Sequence, residues 1–357
     1  LWLREDDTAT YLSSGTFPGH TERVETFKGS NNQLLRNVGQ EACRNFATWW
    51  MDLGGTGWFN DRRFWDTMKA LEALDDPLIS RPQAYVPPVA AVVDEDSMMW
   101  VAETGFRVTR PLLYEGRGAF ARAGTPFGQY LLDDVAEGRV DKAKLLVFLN
   151  AWNIDEPTRE KLLQRTQNRL RVWCYAPSFL GDPNDLEDMH QLTRFRFRRM
   201  PEGTAAVTVP TAAGRRLGLD GELAVKEPIA PLLTVADAAA SEILASYPDG
   251  SPAIALRDDS DGTGASVFIG VPTLSPGLLR GLARRAGITP YTDDECILYA
   301  SGPLVVVHAT CDGRVRLTKP PSTGDSPLRD VVTGEVLGNG PAVDVNLRLG
   351  DTRILRW

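Results

Sequence analysis

Apolar positions recur with two periods along this chain, and the places where the period changes divide it into elements. Leu1-Trp2-Leu3-Arg4 predicts a short buried strand that ends directly in Glu5-Asp6-Asp7 and Thr8. Residues 13–30 are rich in Ser, Gly, Thr and Pro and predict a long loop. From Ser30, the residues Leu34, Leu35, Val38, Ala42, Cys43 and Phe46 fall at helical spacing and lead into a second strand, Trp49–Leu53. After a Gly-rich loop, Asp61 is placed to cap a helix with Phe64, Trp65, Met68, Leu71 and Leu74 on one face. This is the order of consecutive βα units in a parallel sheet or a (β/α)8 barrel, and two units alone cannot close a barrel.

Four prolines between Asp75 and Pro88 predict a boundary. Beyond it, strands at Val89–Val93, Phe127–Leu132, Leu145–Leu149 and Val172–Tyr175 alternate with helices near residues 107–123 and over Glu156–Leu170. That alternation predicts an open doubly wound α/β domain. Pro177–Gly221 reads as polar and irregular with one helix, Asp185–Phe195. A strand at Leu232 is followed by a helix over Ala236–Tyr247, strands at Ala253–Leu256 and Ser266–Ile269, and a helix over Pro276–Ala286. From Tyr291 the helices stop. Short strands at Ile297–Tyr299, Leu304–His308, Val315–Leu317, Val331-Val332, Val343–Leu347 and Arg353–Leu355 describe a small β-sandwich. The expected domains are therefore 1–80, 86–290 and 291–357.

Composition narrows the function. A length of 357 residues exceeds one compact core, and 43% hydrophobic with 24% charged residues fits a globular protein. The net charge of −8 argues against nucleic acid or a membrane surface as the main partner. The basic cluster Arg194, Arg196, Arg198 and Arg199 reads as a solvated segment or an anion or subunit contact. Cys43, Cys174, Cys296 and Cys311 lack metal-ligand spacing, Cys43 and Cys174 lie in apolar segments and read as reduced, buried thiols, and His20, His190 and His308 are scattered, so neither a metal nor a cofactor is expected. The middle domain has no GxGxxG after its first strand and no nucleophile elbow, and reads as a scaffold or subunit contact. No apolar run reaches the ~18 residues of a membrane span and no signal core is visible. A chain that opens Leu1-Trp2-Leu3 is expected to be processed or partial. A cytoplasmic location is favoured, with export open if a signal precedes.

The candidate chemistry gathers after the first two strands. Trp49-Trp50-Met51-Asp52-Leu53-Gly54-Gly55-Thr56-Gly57-Trp58-Phe59-Asn60-Asp61 combines indole faces that stack on a pyranose, carboxylates that accept from vicinal hydroxyls, and glycines that turn sharply beside a ligand. The alternative is a buried strand whose tryptophans fill core. Glu5, Asp6 and Asp7 stand either at the tip of a barrel strand, where catalytic groups sit, or at a helix N-terminus, where they would cap free amides.

The block Arg4-Glu5-Asp6-Asp7-Thr8, the WWMDLGGTGWF segment, the AVVDEDS strand, the TPFGQYLLDDV segment and the LVVVHATCDGRVRLTKP stretch together resemble the C-terminal portion of glycoside hydrolase family 42, the β-galactosidase-like enzymes. The resemblance covers nearly the whole chain in domain order. It implies the last units of a (β/α)8 catalytic barrel, a flavodoxin-like middle domain linked to trimer assembly, and a small C-terminal β-sandwich. It further implies that Leu1–Arg4 is similar to barrel strand seven, with Glu5 as nucleophile, and Trp49–Leu53 to strand eight, with Trp49, Trp50, Asp52 and Trp58 lining a sugar subsite. Asp6 and Asp7 would hold sugar hydroxyls or couple to Glu5. Two departures stand out. Ala9 occupies a position where relatives carry a basic residue, and strands one to six are absent, with the acid/base carboxylate that a retaining mechanism places about 5–5.5 Å from the nucleophile. The implied activity is retaining, exo-acting hydrolysis of a terminal sugar, a galactoside first, from a glycoside or an oligo- or polysaccharide, by a homo-oligomer, trimer or dimer. The alternative is a non-catalytic carbohydrate-binding or assembly protein with an incomplete barrel.

Overall fold

The computed structural model describes residues 2–13, 24–80, 84–102, 106–181, 186–225 and 228–357. Leu1, residues 14–23 of the expected loop and His20 within them lie outside the described residues. The chain forms two compact units, Leu1–Val86 with Tyr291–Trp357, and Pro87–Pro290.

The first unit opens with strand β1 (Leu3–Asp6), helix α1 (Phe27–Cys43), strand β2 (Ala47–Trp50) and helix α2 (Arg62–Ser80). β1 and β2 pair in parallel, Leu3 opposite Ala47 and Asp6 opposite Trp50. A helical crossover between them is what parallel pairing demands. α1 starts earlier than its apolar stripe suggests, because the Thr26 hydroxyl accepts the Gly29 amide and caps it. Both strand limits shift. β1 extends through Glu5 and Asp6, and β2 begins at Ala47 and stops before Asp52. The chain leaves β2 there because the Asp52 carboxylate collects the amides of Thr56, Gly57 and Trp58 while Gly54, Gly55 and Gly57 adopt positive φ.

The second unit contains strand β3 (Val89–Val93), helices α3 (Glu95–Met99) and α4 (Gly116–Ala121), β4 (Phe127–Leu131), α5 (Leu132–Ala136), β5 (Leu145–Phe148), α6 (Glu156–Arg165) and β6 (Leu170–Cys174). It continues through α7 (Glu187–Thr193), β7 (Phe197–Arg199), β8 (Val209–Pro210), α8 (Ala212–Arg216), β9 (Leu233–Val235), β10 (Ile243–Ser246), β11 (Pro252–Asp258), β12 (Ala265–Ile269) and α9 (Pro276–Arg285). A central sheet runs β4-β3-β5-β6-β12-β11-β10-β8. From β4 to β12 the strands are parallel, and the remaining three add antiparallel. β3 and β5, inside the sheet, are unbroken apolar runs because both faces are covered, whereas the edge strand β4 exposes Gln129 and Leu131. On one face Phe148 and Trp173 stack at 4.2 Å within a cluster that includes Val92, Leu146 and Leu162.

Several expected helices change here. Ala236–Tyr247 is not a helix. Its alanines favour one, but Ile243–Ser246 is β10, held between β11 and β8 with Leu244 and Ala245 buried. Arg257 fixes the preceding turn through Asp237 and Glu242. Burial between two strands outweighs a propensity worth under ~1 kcal/mol per residue. The helix expected near 107–123 is split into a π-helical stretch, Arg110–Glu115, and α4, with Pro111 lacking the amide a regular turn needs. α6 stops at Arg165, where Thr166 turns its hydroxyl onto the Leu162 carbonyl and Asn168 is left-handed. α7 is confined by left-handed residues at Leu186 and Arg194. α9 meets the turn after α8 main chain against main chain: a Cβ on Gly281 would lie 1.8 Å from the Leu217 carbonyl oxygen, and one on Gly277 2.2 Å from that of Gly218.

The chain then returns to the first unit with β13 (Cys296–Ser301), β14 (Leu304–Ala309), β15 (Gly313–Thr318), β16 (Leu328–Asp330), β17 (Val336–Gly338), β18 (Ala342–Leu347) and β19 (Thr352–Arg356). They form two antiparallel sheets, β13-β14-β19-β16-β17 and β15-β18. Leu298, Val305, Val307 and Leu355 of the first share one core with Val315, Leu317, Val343 and Val345 of the second. Val331-Val332 is a turn rather than a strand, because Asp330 accepts the amides of Val332 and Thr333. The alternate residues Leu304, Val306 and Ile354 pack against Leu34 and Val38 of α1 and Phe64 and Leu71 of α2. The run Leu304–Val307 is apolar throughout because this sheet is covered on both faces. His308 Nδ1 lies 2.8 Å from Thr352 Oγ1, and Thr352 donates to the Asn32 carbonyl at 2.7 Å. No helix among the described residues is long and apolar enough to cross a membrane.

Gly281→Ala should lower stability by about 3 kcal/mol in urea titration, since the obstacle is backbone, whereas Gly118→Ala on α4, with nothing within 4 Å of its Cβ, should be neutral or gain up to about 1 kcal/mol. Equal effects would refute the main-chain contact. Burial, with Arg36 nearby, pushes the His308 imidazole down to about 4. A folded-state value below the unfolded ~6.5 gives stability that is complete above pH ~6.5 and lost as pH falls toward 4. Between pH 7 and 4.5 the native chain should lose about 2 kcal/mol more than His308→Gln; parallel pH profiles would exclude His308 as the cause.

Candidate functional site

Successive side chains on a strand point to opposite faces, and this sorts the candidates on β1 and β2. Arg4 and Asp6 point toward α1: Arg4 Nη1 donates to Glu41 Oε1 at 2.8 Å, and Asn37 Nδ2 donates to the two Asp6 oxygens at 3.1 and 3.2 Å. Leu3 and Glu5 therefore point the other way, beside their register partners Ala47 and Trp49. That face is open, with Leu3 63% and Trp49 44% exposed. The structure thus brings Glu5 and Trp49 together on the uncovered face of the strand pair.

The other acidic candidates differ from Glu5. Asp6 is buried and accepts from both Asn37 and the Thr8 amide, the latter at 3.1 Å, so it ties β1, the loop after it and α1 together. Asp7 is half-buried just beyond the strand. Burial pushes the Asp52 carboxyl up, but the amides of Gly57, Thr56 and Trp58 outweigh it and hold the group below the usual carboxylate range. Its oxygens organise the loop. Trp58 is 0% exposed, so its indole fills the interior of that loop and offers no face to a sugar, a correction to its expected place in a subsite. Trp50 packs against the α1–α2 cluster with its indole N–H buried and unpaired. It also lines a cavity of about 380 Å³ with Asp52, Phe59, Asn60, Trp65 and Met68.

Several residues that shape the site were not singled out from the sequence. Asn37 and Glu41 are four apart on α1, a polar pair beside the apolar stripe, and that spacing is the signal that could have found them. Desolvation pushes the buried Glu41 carboxyl up against the pull of Arg4. The loops after the two strands are also tied to each other. Thr10 donates its hydroxyl to the Trp58 carbonyl, and Tyr11 donates to Asp61, which also binds Arg63 at 2.6 Å. Arg63 and Tyr11 hold Asp61 well below the carboxylate range, and Arg63 lies 4.0 Å over the Phe27 ring. In the other unit Arg196 reaches Glu187 at 3.9 Å and Arg198 donates to Ser251 at 2.8 Å. Among the described residues no group of His, Cys, Asp and Glu is arranged to hold a metal ion.

Comparison with known structures defines the class of fold. The chain is similar over its full length to 55% of a β-galactosidase from Bacillus circulans sp. alkalophilus, with a TM-score of 0.68 and 14% identity. It is similar over 92% of its length to 49% of a β-galactosidase from the psychrophilic Marinomonas ef1, and over 84% to 44% of Gan42B, a GH42 β-galactosidase, each with a TM-score of 0.57 and identities of 13% and 14%. The chain therefore has a glycoside-hydrolase-like fold and spans about half the length of these neighbours. No protein-family model and no curated protein matches it.

Asn37→Ala should cost about 2 kcal/mol by leaving the Asp6 carboxylate buried with one partner fewer. The double variant Asn37→Ala/Asp6→Ala should fall short of the summed single losses by about 1 kcal/mol in urea titration. Strict additivity would dissolve the link between β1 and α1.

Proposed function

We propose that this chain carries the nucleophile side of a retaining, exo-acting glycoside hydrolase of the family 42 β-galactosidase type. One observation carries the reading: Glu5 and Trp49 stand side by side on the open face of two parallel strands whose other face is closed by α1. In this reading β1 and β2 are strands seven and eight of a (β/α)8 barrel, completed by strands that this chain does not contain. The exposure of Leu3 and Trp49 supports it, since a barrel interior would cover both. Glu5 attacks the anomeric carbon to form a glycosyl-enzyme intermediate while Trp49 stacks on the apolar face of the sugar, and Asp7 is close enough in sequence to serve a hydroxyl. The proton for the leaving oxygen comes from a second carboxyl group about 5–5.5 Å away on the completing strands. Galactosides lead as substrates because the similar structures are β-galactosidases.

The parallel strands of the middle unit, taken in chain order, lie 2-1-3-4-5, which supports a flavodoxin-like reading and, with it, a role in homo-oligomer assembly. The shared core of the two C-terminal sheets supports a β-sandwich.

In a protein with the completed barrel, Glu5→Gln should lower kcat on nitrophenyl galactosides at least ~10³-fold and leave sugar affinity within about twofold. Undiminished turnover would remove Glu5 as nucleophile. Sugar binding without turnover by the native protein would favour the non-catalytic alternative.

A further inference from the structure

We propose that Asn339 is a site of spontaneous covalent modification, converted through a cyclic imide with Gly340 into aspartate and isoaspartate. Asparagine is among the chemically labile residues, and it reacts most readily where the next residue leaves its backbone nitrogen unhindered. Asn339-Gly340 is the one Asn-Gly pair in the chain. It lies between β17, which ends at Gly338, and β18, which begins at Ala342, and it carries the chain from one antiparallel sheet to the other. Both sides of the pair are anchored. A Cβ on Gly338 would come within 3.1 Å of Val343 Cγ1, so the chain is closely packed just before Asn339. Pro341 has no amide to donate, and its carbonyl accepts the Lys319 amide at 2.9 Å. Between these anchors Asn339 is exposed, and among the described residues neither its carboxamide nor the Gly340 amide has a hydrogen-bond partner.

The chemistry needs only base and water. Base takes the Gly340 amide proton, the nitrogen attacks Asn339 Cγ, and the bond from Cγ to the side-chain nitrogen breaks, releasing ammonia and closing a succinimide. Water then opens the ring. Addition at Cγ gives aspartate, and addition at the former main-chain carbonyl gives isoaspartate, in which the backbone runs through Cβ and Cγ. Either product adds one negative charge to the −8 of the chain, and isoaspartate also lengthens the connection between the two sheets by one carbon. The rest of the sequence lacks this combination. The four Asp-Gly pairs present a carboxylate, from which oxygen leaves far less readily than ammonia leaves an amide. Three of them are also restrained: Asp249 accepts the Ser251 amide at 2.9 Å, Asp261 the Thr263 amide at 3.0 Å and Asp312 the Leu349 amide at 2.7 Å. Gly250 and Gly262 further commit their own amides, to the carbonyls of Tyr247 and Asp259. Every other asparagine precedes a residue with a side chain, as Asn346 in β18 precedes Leu347.

Trypsin leaves Asn339 and Asn346 in one fragment, between Arg329 and Arg348, so each serves as reference for the other. When the full chain is held at mildly alkaline pH, fragment mass spectrometry should show the deamidation mass shift at Asn339 at least ~10-fold faster than at Asn346. Isoaspartyl groups, detected by enzymatic methyl transfer, should rise in step. The folded chain should convert within about threefold of the rate of the guanidinium-unfolded chain, because the fold withholds neither reacting group. In Gly340→Ala the new Cβ would meet the Ala342 carbonyl oxygen at an ordinary 3.5 Å, so the thermal midpoint should stay within about 2 °C while conversion slows at least ~10-fold. The proposal fails if Asn339 converts no faster than Asn346, or if Gly340→Ala converts as fast as the native chain. It fails equally if unfolding accelerates conversion ~10-fold or more, since the fold would then be shielding the residue.

Discussion

Helix α1 is buried on two sides at once, and the geometry of its unit follows from that. One side receives Asp6 and Arg4 of β1 through Asn37 and Glu41, and the other lies on Val306 and Ile354, closely enough that a Cβ on Gly39 would come within 2.7 Å of Val306. The two sides do not contribute equally. The Arg4–Glu41 pair has one half-exposed partner and is worth at most about 1 kcal/mol, whereas each of Leu34, Leu35 and Val38 contributes roughly 1.5–3 kcal/mol by burial. The apolar side therefore sets where α1 sits, and the polar side sets how β1 is turned about its axis. The direction of Glu5 is decided by Asn37 and Glu41, on a helix whose place is set by strands almost three hundred residues further along the chain.

Much of this order is legible in the sequence wherever period and length agree. Val89–Val93 and Leu145–Phe148 lie within a residue of their expected limits because short apolar runs bounded by turns have few other uses, and Phe127–Leu131 lies within a residue of its own. α9 fits equally well, with its Ser275 cap and Pro276 in the first turn. The failures share a cause. In Ala236–Tyr247, local composition points to helix, and only neighbours that are distant in sequence make Ile243–Ser246 a strand. The Val331-Val332 turn is likewise imposed by a single carboxylate, Asp330.

The acidic residues teach a related point about reading sites. Glu5, Asp6 and Asp52 look alike in sequence, each close to the end of an apolar run beside small polar residues. Their chemistry separates only when the amides and side-chain donors around them are located. Asp6 and Asp52 have their oxygens engaged within the fold, as Asp94 does in the other unit, while Glu5 faces the open side. A carboxylate that organises a loop and one that faces an open surface require the same residue type, and the strand's two-residue alternation distinguishes them here.

The contact between α9 and the turn after α8 bears on how this unit can diverge. Hydrophobic cores tolerate drift because a volume lost at one side chain can be regained at another. Gly218, Gly277 and Gly281 allow no such exchange, since each rests on backbone carbonyl groups rather than on a side chain that could shrink in compensation. Relatives could replace most apolar residues of the sheet and every surface charge and keep the architecture, yet they would have to retain these glycines or move α9 away from that turn. The slowest-changing signature of the unit would then consist of the residues with the least chemistry.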